Sequence, residues 1–158
     1  MAHILIVDDD EIVAELASSA LLEAGHICGW VGSGRKALDL LRWRRPDILL
    51  LDQDMPEMTG AQVLRELRTS EKHYDLPVIM FTGITGEADE KAARFNGAQA
   101  YVRKPFSSSY LLEQVERLLA TRAARPQHLA LEQYLAQSAG RWRDAPERAQ
   151  TTLRRYSV

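Results

Sequence analysis

The chain has 158 residues, 46% hydrophobic and 27% charged, with a net charge of −2, which suits one domain of ordinary size plus an extension. No stretch nears the roughly 18 consecutive apolar residues of a membrane-spanning helix, and the opening run His3-Ile4-Leu5-Ile6-Val7 leads straight into acids, without the basic start and cleavage site of a secretory signal. Cys28 is the only cysteine, which excludes an internal disulfide and a cysteine-based metal cluster and agrees with a reducing compartment, so a cytoplasmic location is expected.

Strand-like and helix-like segments alternate along the chain. Ile4 to Val7 is the first apolar run of strand length. Ile12, Val13, Leu16, Ala20, Leu21 and Leu22 then recur at helical spacing up to Gly25, a residue suited to the left-handed turn past a helix end. That stripe is expected to face a sheet. Ile27 to Val31 reads as the second strand, and Ala37, Leu38 and Leu41 mark the second helix. Ile48 to Leu51 is followed by Val63, Leu64 and Leu67, and Val78 to Phe81 by Ala88, Ala92 and Phe95 before Asn96-Gly97. Ala100 to Val102 leads into a fifth helical segment carrying Leu111, Leu112, Val115, Leu118 and Leu119. The third and fourth strands are apolar without alternation, the habit of parallel strands covered by helices on both faces. The expected fold class is therefore α/β, a doubly wound five-stranded parallel sheet flanked by five helices.

Right-handed crossovers can cover both faces only if the strand order reverses, and ligands collect at the carboxyl ends of strands beside that reversal. Asp8 and Asp9 follow the first strand, Asp52 the third, Thr82 the fourth, and Lys104 stands just past the fifth. If the order is the flavodoxin-like 2-1-3-4-5, the first and third strands are neighbours and three carboxylates meet in one pocket. Two unit charges about 4 Å apart at an effective dielectric of about 20 repel by roughly 4 kcal/mol, so such a cluster must spread, protonate or recruit a cation. Oxygen ligands without histidine or cysteine favour magnesium or calcium over zinc, and an open site favours Mg2+. Asp52 is placed to act as a nucleophile toward a phosphoryl group, with Lys104 and the Thr82 hydroxyl to hold its oxygens.

The residues Val7-Asp8-Asp9, Leu51-Asp52-Gln53-Asp54-Met55-Pro56-Glu57-Met58-Thr59-Gly60, Leu76-Pro77-Val78-Ile79-Met80-Phe81-Thr82-Gly83 and Tyr101-Val102-Arg103-Lys104-Pro105-Phe106 resemble, in this order, the receiver domain of two-component response regulators. The resemblance covers about residues 3 to 121. It implies that Asp52 is phosphorylated by a histidine kinase or a histidine phosphotransfer protein. It also implies that Asp8, Asp9, Asp52 and the main-chain carbonyl of Asp54 serve Mg2+, that Lys104 holds the phosphoryl group, and that Thr82 and Tyr101 move on activation. A cis Lys104-Pro105 bond is implied as well. The expected output is a switched surface, with phosphoryl transfer and dephosphorylation confined to Asp52, and not turnover of a free substrate. A haloacid-dehalogenase-type phosphatase reading of Asp52-Gln53-Asp54 fails on context, because that family's aspartate pair sits early in its chain and has no separate acidic pair before it. A flavin reading fails because three carboxylates would repel the cofactor phosphate.

Residues 1 to 121 carry 13 basic and 19 acidic side chains, whereas residues 122 to 158 carry 7 arginines and 3 acids. Pro126 interrupts the fifth helix's continuation. Leu131, Tyr134, Leu135 and Ala139 then recur at helical spacing, and a second segment starts at Asp144 and Pro146 with Ala149, Leu153 and Tyr156. Two helices this short cannot bury much alone, so packing on the domain or on a second copy is expected; the resemblance to receivers implies that a homodimer would form through the fourth and fifth helices and the tail. The alternative is a minimal DNA-binding tail with Thr151-Thr152-Leu153-Arg154-Arg155 as its basic segment.

Overall fold

A computed structural model describes residues 1–83 and 97–123, with side chains described up to Thr121. The fold below is that of the compact unit Met1–Leu119. The fourth helical segment expected at Ala88, Ala92 and Phe95, and the tail segments from Leu131 to Tyr156 with their dimer and DNA readings, lie outside the described residues.

Five strands, β1 (His3–Val7), β2 (Ile27–Val31), β3 (Ile48–Asp52), β4 (Val78–Thr82) and β5 (Ala100–Arg103), form one parallel sheet in the order β2-β1-β3-β4-β5. Four helices occupy the described residues: α1 (Glu11–Glu23), α2 (Gly34–Leu41), α3 (Gly60–Arg68) and α4 (Ser108–Ala123), the last being the fifth helical segment of the sequence.

The runs without alternation have a direct explanation in the two cores. Ile48 and Leu50 of β3 join Ile4, Ile6, Ile79, Phe81 and Val102 against Ala17 and Leu21 of α1 and Leu111 and Val115 of α4. Leu49 and Leu51 turn the other way and join Leu5, Val7, Val78 and Met80 against Ala37 and Leu41 of α2 and Val63, Leu64 and Leu67 of α3. Successive side chains of a strand point to opposite faces, and here both faces are apolar, so period-two patterning vanishes at the centre of the sheet.

At the edge the picture changes. β2 is covered poorly, and Ile27 and Trp30 stand partly in solvent. The stripe expected of α1 is also corrected. Ala14, Ala17, Ala20 and Leu21 face the sheet, while Ile12 (69% exposed), Leu16 (60%) and Leu22 point away from it. Alanines at the contact let the helix axis approach the strands closely, and that leaves the bulkier apolar side chains on the outer face. Ala20 and Leu21 of the expected stripe are buried, whereas Ile12, Leu16 and Leu22 are not.

Helix ends carry their own local chemistry. The Asp10 side chain accepts from the Ile12 and Val13 N–H groups, Ser33 from Lys36, and Thr59 forms a capping box with Gln62. Gly25, at φ 89°, ends α1 as expected, with the His26 N–H donating back to the Leu21 carbonyl at 3.0 Å. No helix among the described residues is long and apolar enough to cross a membrane.

Leu50 is fully buried between β1 and β4 in the core beneath α1 and α4. Leu50→Ala is expected to cost ~3 kcal/mol, the usual range for a large-to-small change in a close-packed core, as a lower urea midpoint with an unchanged slope.

Candidate functional site

Parallel register assembles the site. Val7 pairs with Leu51 across β1 and β3, so Asp8 and Asp52 emerge side by side at the carboxyl edge of the sheet. Carboxylate oxygens of Asp8, Asp9 and Asp52 all lie within 4.8 Å of one another. Asp8 and Asp52 are buried, whereas Asp9 is exposed at the pocket mouth.

Lys104 reaches in from just past β5. Its ammonium donates to Asp8 Oδ2 at 2.7 Å and to Asp52 Oδ1 at 3.1 Å. The Lys104 main-chain N–H donates to the Thr82 carbonyl at 2.7 Å, which fixes the stem to the end of β4, and the Lys104–Pro105 peptide is cis. Phe106 then stacks on Phe81, with ring centroids 5.2 Å apart.

Main-chain donors complete the carboxylate shell. The Asp10 N–H donates to Asp8 Oδ1 at 2.9 Å, and the Asp54 N–H to Asp52 Oδ1 at 3.3 Å. Thr82 is buried at the last position of β4, in register with Arg103. Tyr101 is half-buried in β5 opposite Met80 and packs on the α2–α3 side of the sheet. The structure thus brings Asp8, Asp9, Asp52 and Lys104 into one cluster, with Thr82 on the next strand and Tyr101 beyond it.

Electrostatics follow from this crowding. Burial, and next the charge of Asp8, raise the Asp52 pKa from 3.8 to about 7, against the opposing pull of Lys104. Burial opposes the charged form of Lys104, but its hydrogen bond to Asp8 and the charges of Asp52 and Asp8 outweigh that, and its pKa rises. Three carboxylates against one ammonium leave a formal charge of −2 in the cluster, which a divalent cation with oxygen ligands would neutralise. The donor set therefore fits magnesium: hard oxygens only, open to solvent at Asp9.

Two contributors escaped the sequence reading. Gln53 ties the turn after β3 to α3, its side-chain carbonyl accepting from the Ala61 N–H at 2.9 Å and its main-chain carbonyl from the Gly60 N–H at 3.0 Å. Trp30 donates its indole N–H to the Asp8 carbonyl at 2.8 Å. Neither bond follows a local motif, since each depends on where a neighbouring element lies. The histidines among the described residues stay out of the cluster: His26 Nδ1 accepts from the Ala2 N–H and Nε2 meets Glu116 at 3.0 Å, while His73 is buried beside Ser70.

Fold and site together define a flavodoxin-like α/β domain with an acid-and-lysine pocket at its topological switch point. Residues 4–116 match the model of the response regulator receiver domain family. The polar-differentiation response regulator DivK of Brucella ovis is 33% identical over 116 residues, which span 73% of this chain and 94% of that protein. Chemotaxis response regulator CheY4 of Vibrio cholerae superposes with a TM-score of 0.71 at 30% identity, covering 75% of this chain and 98% of that one. The receiver domain of a signal transduction histidine kinase from Syntrophus aciditrophicus gives 0.74 at 30% identity, covering 83% and 99%. The chain belongs to the receiver domain family of two-component response regulators.

Two outcomes follow from the packing and charge of the pocket. Between pH 3.8 and about 7 the folded chain keeps a proton on Asp52 that the unfolded chain has released, so the stability tied to this group is present at low pH and is lost as pH rises through that window. Asp52→Asn is free of this loss. A gain on the order of 1–2 kcal/mol is therefore expected at pH 8 in chelator. Chemical denaturation at pH 4 and pH 8 checks it, the gain vanishing at the lower pH. Separately, a Cβ at Gly60 would press on the Asp52 carbonyl oxygen and come within 2.9 Å of Met80 Cε. Gly60→Ala is expected to lose ~2–3 kcal/mol in the same assay, because main chain must give way.

Proposed function

We propose that Asp52 is the phosphoacceptor of this receiver and that residues 1–121 form the receiving unit, with residues 122–158 as an extension. The observation that carries this reading is the convergence of Asp8, Asp9 and Asp52 within 4.8 Å around the Lys104 ammonium. Acids scattered on strand-to-helix loops would have no reason to share a lysine.

A carboxylate oxygen of Asp52 attacks the phosphorus of a phosphohistidine on a histidine kinase or phosphotransfer protein. The P–N bond breaks, an acyl phosphate P–O bond forms, and the imidazole leaves carrying the proton that makes it neutral. Lys104 exchanges its bond to Asp52 for a phosphoryl oxygen, and the Thr82 hydroxyl donates to another. Asp8, Asp9, Asp52 and the Asp54 carbonyl hold Mg2+, which supplies neutralising charge to the phosphoryl oxygens when bound. Water later hydrolyses the acyl phosphate and returns Asp52.

Signalling consists of a population shift. Movement of Thr82 toward the phosphoryl group changes the packing near Tyr101, and the differential contacts of the modified pocket favour one arrangement of that face over the other. On this reading the chain is a cytoplasmic switch and not a turnover enzyme.

Incubation with acetyl phosphate and Mg2+ followed by intact mass measurement is expected to show one phosphoryl adduct, abolished by chelator and by Asp52→Asn. An adduct that survives in Asp52→Asn, or none in the unaltered chain, would sink the assignment.

A further inference from the structure

We infer that Trp30 is a positioning residue for the metal-binding pair Asp8 and Asp9, acting through the peptide bond between them. The inference rests on the magnesium site proposed above and adds a residue to it.

Trp30 sits on the edge strand β2, in register with Ile6, and its side chain is 44% exposed. A large aromatic half in water at a sheet edge buries less apolar surface than the same ring in a core, so packing alone accounts poorly for it. Its polar handle has a definite use: the indole N–H donates to the Asp8 carbonyl at 2.8 Å. The ring lies near the turn into α2, where a Cβ on Gly32 would touch it at 3.8 Å.

That bond is one of two tethers at Asp8. The Asp8 N–H donates to the Val31 carbonyl at 3.2 Å, so main-chain groups on both sides of its Cα are held by β2. The Asp8 carboxylate is already engaged, Oδ1 by the Asp10 N–H and Oδ2 by Lys104. Asp9 differs: among the described residues its carboxylate has no hydrogen-bond partner, and the residue is exposed. Its place in the cluster is therefore set by its main chain, whose entry is the Asp8–Asp9 peptide plane. The indole N–H fixes the carbonyl of that plane. Groups that orient metal ligands from behind tune affinity without touching the ion.

The test is magnesium affinity by isothermal titration on the full chain, for the unaltered protein, Trp30→Phe and Ile27→Ala. Ile27→Ala perturbs the far end of β2 and serves as the control for edge-strand damage. Trp30→Phe keeps an aromatic ring and removes the donor, and it is expected to weaken Mg2+ binding about 3–10-fold, with Ile27→Ala unchanged. In the unaltered protein the Trp30 indole 1H–15N signal, assigned by its loss in Trp30→Phe, is expected to shift along the same titration. Equal affinities for the unaltered protein and Trp30→Phe, equal weakening in both variants, or an indole signal that ignores the ion overturns the inference. An unaltered chain that takes up no Mg2+ overturns the magnesium reading itself, and this inference with it.

Discussion

Mutual repulsion among Asp8, Asp9 and Asp52 is the constraint on which the arrangement at the carboxyl edge of the sheet depends. Three carboxylates within 4.8 Å of one another are unfavourable, and the fold opposes their separation with rigid parts. β1 and β3 are adjacent hydrogen-bonded strands, and separating the main-chain positions that carry Asp8 and Asp52 would mean breaking a ladder buried on both faces. What remains adjustable is charge. Lys104 supplies one compensating charge, and the raised pKa of Asp52 favours a proton there as another. A pocket under this tension responds strongly to any change in ligation.

The two cores explain how such a pocket stays assembled. Side chains of β3 and β4 alternate between a layer under α1 and α4 and a layer under α2 and α3, so the central strands are clamped from both sides. The chemistry is placed on the short segments that leave these clamped strands. Asp8 is pinned through its main chain by β2 and through its carboxylate by Asp10 and Lys104. Lys104 is pinned by the Thr82 carbonyl. Edge and centre of the sheet therefore contribute differently: the centre carries the acids, and the edge strands β2 and β5 hold the groups that orient and neutralise them.

Membership in the receiver family gives this electrostatic device its biological setting, two-component signalling. The family match ends at residue 116, and the arginine-rich extension begins a few residues later.

Sequence alone determined the five strands, the four helices of the described residues, their order and the identity of the polar groups at the strand ends. Such features are local: apolar periodicity, the glycine after α1, and acids following apolar runs. The face that α1 buries was not local. Its large residues Ile12 and Leu16 stand exposed, while Ala14, Ala17 and Ala20 with Leu21 are the ones buried. The bonds from Trp30 to the Asp8 carbonyl and from Gln53 to the start of α3 were likewise invisible, because the first depends on the register of β2 beside β1 and the second on how the loop after β3 folds back onto α3. Only the tertiary structure decided these, and also the shift of Asp52 to about 7, since burial and the distance between charges exist only once strands far apart in sequence lie side by side.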